Sequence, residues 1–316
     1  MRRRVLLLLL LLVGPSSNLA AQDASRPITL GGAIQFDYLA PIDDTGRTAD
    51  TFRFRRVRLT GAGALTDTID WTVSVEATDS PILRDAYLTF RYLPAATVRV
   101  GQLVMPFGLE QFVYSSNTMP FTERIANAVV ASRDAGVLVS NARPFFGWFS
   151  YAAAVTNGTR QNRADNNSAK DGVVRLTATP ARAPGFQVSV NATKGEQPEG
   201  MRTRTGADLS FERRGYLIAA EYDRERLSGQ PEKNAGYLLG AVRLYPRSSH
   251  RGFHHLEFGA RFARTNNLEQ PHTQWDLTAN YYVRAEVRFM CSLILHPDHE
   301  PGDPGSTLHA RANIRF

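Results

Sequence analysis

Seven separate stretches of this chain alternate apolar and polar residues. Ile28, Leu30, Gly32, Ile34, Phe36 and Tyr38 share one face of the first stretch, while Thr29, Gln35 and Asp37 share the other. The same pattern returns at 71–77, 85–92, 204–212, 255–262, 274–281 and 308–316. A period of two belongs to an extended strand, whose side chains point alternately to opposite sides, and helical periodicity is nearly absent. In the second strand the phase slips at Arg55-Arg56, the signature of a β-bulge.

The connections alternate as well. Short ones fall near 61–68, 93–96, 140–144, 179–185, 213–215, 246–253 and 282–286. Longer polar ones fall near 40–50, 103–133, 156–171, 193–203, 225–234, 265–272 and 296–306, and 79–81 is a short exception. About 16 strands with short turns at one end and long loops at the other describe an all-β fold, a transmembrane antiparallel β-barrel. An even strand number puts both termini on the short-turn side. The rival fold is a secreted β-sandwich acting as a binding module. Two observations favour the barrel. Nearly every strand has an apolar face, more than a two-layer core can bury. Aromatic residues also gather at the short-turn ends (Trp71, Tyr92, Phe145, Phe211, Tyr216, Tyr281 and Phe316), as at a membrane interface.

The N-terminus reads as an export signal over residues 1–21, with the barrel over 22–316. Arg2-Arg3-Arg4 precedes nine apolar residues, Val5 to Val13, and Gly14-Pro15 ends the run. Nine residues are too few to span a hydrocarbon core of roughly 30 Å as a helix. Cleavage is expected after Ala20 or Ala21, delivering the chain out of the cytoplasm. The single cysteine, Cys291, excludes an intrachain disulfide and a cysteine-based zinc site.

Several segments resemble the phosphate-selective porins O and P of Gram-negative outer membranes. They are Phe52-Arg53-Phe54-Arg55-Arg56-Val57-Arg58-Leu59, Asp85-Ala86-Tyr87-Leu88 running into Val98-Arg99-Val100-Gly101-Gln102, and Pro106-Phe107-Gly108-Leu109-Glu110-Gln111. Phe121-Thr122-Glu123-Arg124, Arg133-Asp134-Ala135-Gly136-Val137 and Asn280-Tyr281-Tyr282-Val283 extend the likeness, which runs from about Ile28 to Phe316. The terminal Phe316 resembles the signal read by the outer-membrane barrel assembly machinery. The resemblance implies a 16-stranded barrel in outer-membrane lipid, a homotrimer, and small anions as permeant solutes.

The alternation sorts charged side chains onto the inner face. The inward arginines are Arg53, Arg55, Arg58, Arg91, Arg99, Arg175, Arg204, Arg261, Arg288, Arg311 and Arg315. The inward acids are Asp37, Glu76, Asp85, Asp208, Glu212, Glu221, Asp223, Glu257 and Asp276, so eleven positive charges face nine negative. An arginine here either braces the wall in a salt bridge or joins a track for anions, since charged rings set pore selectivity. The family uses such a track, but its phosphate preference also depends on lysines, and this chain has only Lys170, Lys194 and Lys233. The expectation is a porin with mild anion preference, phosphate included, rather than strict phosphate selection. A structural or lipid-handling barrel without an open pore is the alternative.

Residues 103–133 are too many for a hairpin turn. They are read as a loop folded inward to form a constriction, with Arg124 and Arg133 as its charges; an external lid is the other option. Enzymatic signals are missing: no Walker-type, Rossmann-type or Gly-x-Ser-x-Gly motif occurs. His296-Pro297-Asp298-His299-Glu300 reads as a solvated loop rather than a metal site, and His250, His254 and His255 as interfacial or solvated. No cofactor is expected. Basic residues spread over strands argue against nucleic-acid binding.

Overall fold

The computed structural model describes residues 26–43, 46–47, 49–114, 118–125, 129, 133–245, 254–266, 272–300 and 302–316. The export signal expected at 1–21 lies outside them. The strands are β1 (Thr29–Asp43), β2 (Gly46–Arg47), β3 (Thr51–Ala64), β4 (Ile69–Glu76), β5 (Leu83–Leu93) and β6 (Ala96–Val104). They continue with β7 (Arg133–Asn141), β8 (Phe149–Thr156), β9 (Asp171–Ala178), β10 (Phe186–Gln197), β11 (Gly200–Arg213) and β12 (Tyr216–Leu227). The last are β13 (Lys233–Leu244), β14 (His255–Asn266), β15 (His272–Tyr282), β16 (Val287–Leu295) and β17 (Ser306–Arg315). Each pairs antiparallel with its neighbours in chain order, and β1 pairs with β17 from Ala33↔Arg315 to Ile42↔Ser306, which closes the sheet. Of the seventeen strands, β2 is a two-residue tip on the first hairpin; the other sixteen form the barrel.

The polarity is inverted relative to a soluble protein. Outward positions such as Leu88, Val190, Leu209, Ile218, Leu238, Phe258, Phe289 and Ile314 are exposed, while inward Asp37, Asp223, Glu257, Ser292 and His309 are wholly buried. A soluble β-sandwich does not expose apolar residues around its whole girth and bury carboxylates inside. A closed barrel in lipid does, because no edge remains unpaired and the apolar band meets hydrocarbon. Tyr92, Phe145, Tyr216, Tyr281 and Phe316 stand exposed at the short-turn end, as their sequence positions suggest.

Local chemistry sets the turns and one irregularity. The β11–β12 turn is Arg214-Gly215, both with positive φ (54° and 86°), the conformation a two-residue hairpin turn needs. The predicted bulge is present: Gln35 pairs with Arg56 and Phe36 with Phe54, leaving Arg55 as the extra residue. Two expected long loops are short. Strands β10 and β11 run to Gln197 and from Gly200, so most of 193–203 is ribbon, and β12 and β13 likewise leave only 228–232 between them. There the outward residues Lys194 and Glu196 are polar and exposed while Thr193 and Gly195 are buried, so no apolar face marks the strand. The turn at 246–253 lies outside the described residues, as does His250.

Candidate functional site

The segment after β6 turns into the barrel. Leu109, Met119, Phe121, Ile125 and Val129 are buried against Leu217, Ala219, Ala235, Tyr237, Leu239, Ala241 and Ala263, all on the inner face of β12–β14. Closer to its origin, Leu103, Met105 and Phe107 pack on Leu138, Ala154 and Val173. Each such apolar side chain contributes about 1.5–3 kcal/mol on leaving water. The constriction loop is therefore internal, and the external-lid option falls. A single π-helical turn, Leu109–Val113, shapes its descent.

Polar side chains of the wall then fix the loop backbone. Glu221 on β12 accepts the N–H groups of Leu109 and Glu110, each at 2.9 Å. Arg288 on β16 donates to the Met119 carbonyl at 2.9 Å, Asn280 on β15 to Pro120 at 2.8 Å, and Arg311 on β17 to Thr122 at 2.7 Å. Arg261 on β14 donates to the Glu123 carbonyl at 3.0 Å, lies 4.6 Å over the Phe121 ring, and bonds Asp276 at 2.8 Å and Glu110 at 3.2 Å. Glu110 in turn accepts the Ile125 N–H at 2.8 Å. Four loop carbonyls thus end on four different strands. Buried polar groups left without such partners would cost about 1–3 kcal/mol each, so the loop is held in one place.

The inward arginines separate into two groups. Arg175 is buried in a bidentate pair with Asp208 (2.7 and 2.8 Å) and bonds Asn191 and Ser189. Arg204 is buried against Glu225 at 2.6 Å, and Arg133 against Asp85 at 2.8 Å. With Arg261 and Arg288, these are joined to the wall or to the loop. The second group stands on β3, β6 and the loop. Arg53 has a side chain 46% exposed, 3.7 Å from Asp37 and 3.9 Å from Glu123. Arg55 is exposed at the bulge, and Arg58 shares Glu76 with Arg56 at 3.0 and 3.1 Å. Arg99 is half-buried, 5.6 Å over the Tyr87 ring.

Arg124 on the loop donates to the Gln111 side chain at 2.8 Å. Burial pushes its guanidinium below the ordinary arginine value; Glu110 opposes that, and Arg133, Arg58 and Arg55 add to it. Arg124 therefore lies within electrostatic reach of Arg58 and Arg55 on β3. Arg56 was not among the sequence candidates. Phe54 and Val57 lie opposite the outward residues Phe36 and Ile34, so both Arg55 and Arg56 between them turn inward. The bulge seen in sequence was the signal for it.

His255 departs from expectation. It is buried, stacked 4.1 Å from the Tyr282 ring and 4.9 Å from Tyr245, because strand β14 begins there with an inward position. His254 is exposed and meets the Tyr281 hydroxyl at 2.8 Å. In the 296–306 segment, Asp298 accepts the Thr273 N–H of β15 and the His299 N–H bonds the His296 carbonyl, which ties the turn to its neighbouring strand. Among the described residues, no group of three His, Cys, Asp or Glu side chains is placed to hold a metal ion.

Comparison with known proteins agrees with this geometry. The trimer form of in-vitro folded OmpT, an outer membrane protein of Vibrio cholerae, superposes with a TM-score of 0.66 at 10% identity, covering 92% of this chain and 99% of that one. Salmonella typhi OmpF in complex with daunomycin gives 0.66 at 10% identity, covering 92% and 98%. The outer membrane channel DcaP of Acinetobacter baumannii gives 0.58 at 13% identity, covering 93% and 98%. At these identities the likeness concerns the fold. No curated relative matches the chain in sequence. The family model for phosphate-selective porin O and P matches residues 28–223, more than half of the chain. With a closed barrel and an internal loop already in view, that match places the chain in the phosphate-selective porin O and P family, the channels of the Gram-negative outer membrane.

Proposed function

We propose that this porin is a passive diffusion pore with a mild preference for anions, phosphate among them, and that it catalyses no reaction. The observation that carries the reading is the uneven charge around the constriction. Arg53, Arg55, Arg56, Arg58 and Arg124 gather about Asp37, Glu76 and Glu123, five positive charges against three. Guanidinium keeps its charge at physiological pH and its planar fork replaces part of an oxyanion's water shell. Low-dielectric walls focus that field. The three carboxylates among the arginines keep an anion from being held too firmly to leave. Arg99 extends the same positive side toward the short-turn end. In this reading the buried Arg133, Arg175, Arg204, Arg261 and Arg288 shape the pore and do not contact the permeant ion.

The assembly proposed with it is a homotrimer in outer-membrane lipid. In the same proposal the chain is exported by the signal at residues 1–21 and inserted by the barrel assembly machinery. The test is conductance of the purified protein in planar bilayers. Stepwise openings whose reversal potential in a KCl gradient favours chloride support the proposal. A cation-selective channel removes the anion reading, and a barrel that inserts without conducting favours the structural or lipid-handling alternative.

A further inference from the structure

The outward face of β12–β15 changes character within one row of residues. Ala220, Leu238, Phe262 and Trp275 stand side by side across the four strands, with the Phe262 and Trp275 rings 4.8 Å apart. The next row toward the long loops is Tyr222, Gly236, Arg264 and Thr273. The row beyond it, on β11–β14, is Thr205, Arg224, Asn234 and Asn266. Arg224 and Arg264 each follow a buried inward residue, Asp223 and Ala263, so both point out of the barrel, as does Arg226 two positions further on. Arg224 and Arg226 share one acid, Glu232 in the β12–β13 turn, at 2.6 and 2.7 Å. Arg264 is exposed and has no acidic partner among the described residues. The fold does not demand cations at this level: toward the same end, the outward face of β1 and β3 presents the exposed rings of Phe36, Phe52 and Phe54.

We propose that the outward face of β12–β14, centred on Arg224 and Arg264, binds the phosphorylated sugar headgroup of a glycolipid in the outer leaflet. A charge on the lipid face of a barrel is tolerated only near the headgroups, and the exposed rings of Tyr222 and Trp275 mark that level just below the arginines. The long loops of such barrels face outside the cell, so these headgroups belong to the outer leaflet. A guanidinium fork takes two phosphate oxygens at once and keeps its charge at every physiological pH. Arg224 and Arg264 lie two strand spacings apart, roughly 10 Å, so a headgroup with two phosphates can meet one on each. Between and beside them, Asn234, Asn266, Thr205 and Thr273 offer amides and hydroxyls to sugar hydroxyls. Glu232 offsets one of the three positive charges and leaves the patch cationic.

Both arginines point away from the lumen, so the proposal stands or falls independently of what the pore conducts. The folded protein in neutral detergent is titrated with diphosphorylated lipid A, with the same lipid after removal of its phosphates, and with phosphatidylglycerol; bound lipid is counted by native mass spectrometry. The wild type is expected to bind the diphosphorylated lipid about tenfold more tightly than either of the others. Arg224→Gln combined with Arg264→Gln is expected to lose that advantage. Equal affinity for the phosphorylated and dephosphorylated lipids overturns the proposal, as does a double variant that binds like the wild type. Phosphatidylglycerol held as firmly as lipid A overturns it too, since any anionic lipid would then serve. Inorganic phosphate that displaces the lipid at equal concentration would make this a site for the free ion and has the same consequence. Should the double variant lose its heat-resistant folded migration, Arg264→Gln alone, a change at an exposed position, decides by the same comparison.

Discussion

The two halves of the lumen wall use the same residue type to opposite ends. On β12–β17, Arg261, Arg288 and Arg311 end on loop carbonyls, and their strands also supply Glu221, Asn280 and an apolar floor of Leu217, Ala219, Leu239 and Ala241. On β3, four arginines stand within six residues, and Glu76 is shared by two of them. An arginine is thus a brace where a loop carbonyl or a carboxylate of its own takes its fork, and on the proposed reading part of the filter where arginines share or lack such acceptors. On the proposed reading, the pore is the space the loop leaves on the side where arginines outnumber acceptors.

Removing the loop should break that asymmetry most completely. Deleting residues 106–130 takes away the apolar plug and all four clamped carbonyls while leaving the strand ladder untouched. Single-channel conductance should rise several-fold, in a barrel that still migrates folded without heating. Unchanged conductance would mean that current does not pass between the loop and β3.

Breaking the clamp at one point comes next. Arg261 is wholly buried and touches Asp276, Glu110, the Glu123 carbonyl and Phe121. Arg261→Ala leaves two carboxylates without their cation, a change of about 3–5 kcal/mol for a buried pair. The folded barrel should convert at lower temperature on gels, and its current should become noisy as the loop leaves its seat. Wild-type thermal behaviour with quiet current would show that the remaining clamps suffice.

The barrel itself was legible because lipid imposes a period. Each outward face had to be apolar and each inward face polar, and seven stretches say so without help from tertiary contacts. The loop's direction was written less plainly. Leu109, Met119, Phe121 and Ile125 are too apolar for an extracellular lid, and β12 and β13 (Leu217-Ile218-Ala219-Ala220, Leu238-Leu239-Gly240-Ala241) are apolar on both faces. A barrel strand with an apolar inner face has something docked on it, and this pair of signals could have located the floor. The pairing of each arginine could not be read in the same way. Arg175 meets Asp208 two strands away and Arg261 meets Glu110 on the loop, contacts that depend on register and loop path. The sequence pattern therefore identifies inward charge without telling braces from filter.

That distinction is sharpened by replacing both exposed arginines of β3. Arg53 and Arg55 have no close bidentate acid partner, so Arg53→Ala with Arg55→Ala should leave stability nearly unchanged, within about 0.5 kcal/mol. It removes two of the five positive charges gathered about Asp37, Glu76 and Glu123. Chloride preference should fall about two- to fourfold, because a single surface charge is partly screened but a constriction focuses its field. The matched control is Arg175→Ala, which should destabilise the barrel and leave selectivity nearly unmoved. A control that shifts selectivity as much as the double variant would erase the division between the two walls.

The smallest expected effect belongs to Arg99. Its segment leads into the loop, which suggests the narrowest zone, yet the side chain sits three residues after the β5–β6 turn, opposite Thr89 and Leu138. The guanidinium lies over the Tyr87 ring, a contact worth about 0.5–1 kcal/mol at an exposed site and one that shields the charge on one side. Arg99 is therefore a charge near the exit, separated along the strand from the β3 cluster. Beyond a Debye length of roughly 8 Å at physiological salt its effect on the constriction fades. Arg99→Ala should accordingly shift the reversal potential slightly at high salt and visibly at low salt, always toward cations. Comparing the two ionic strengths is the measurement. A shift equal at both would place Arg99 inside the filter with Arg53 and Arg55, extending the open side of the lumen down to the short-turn end.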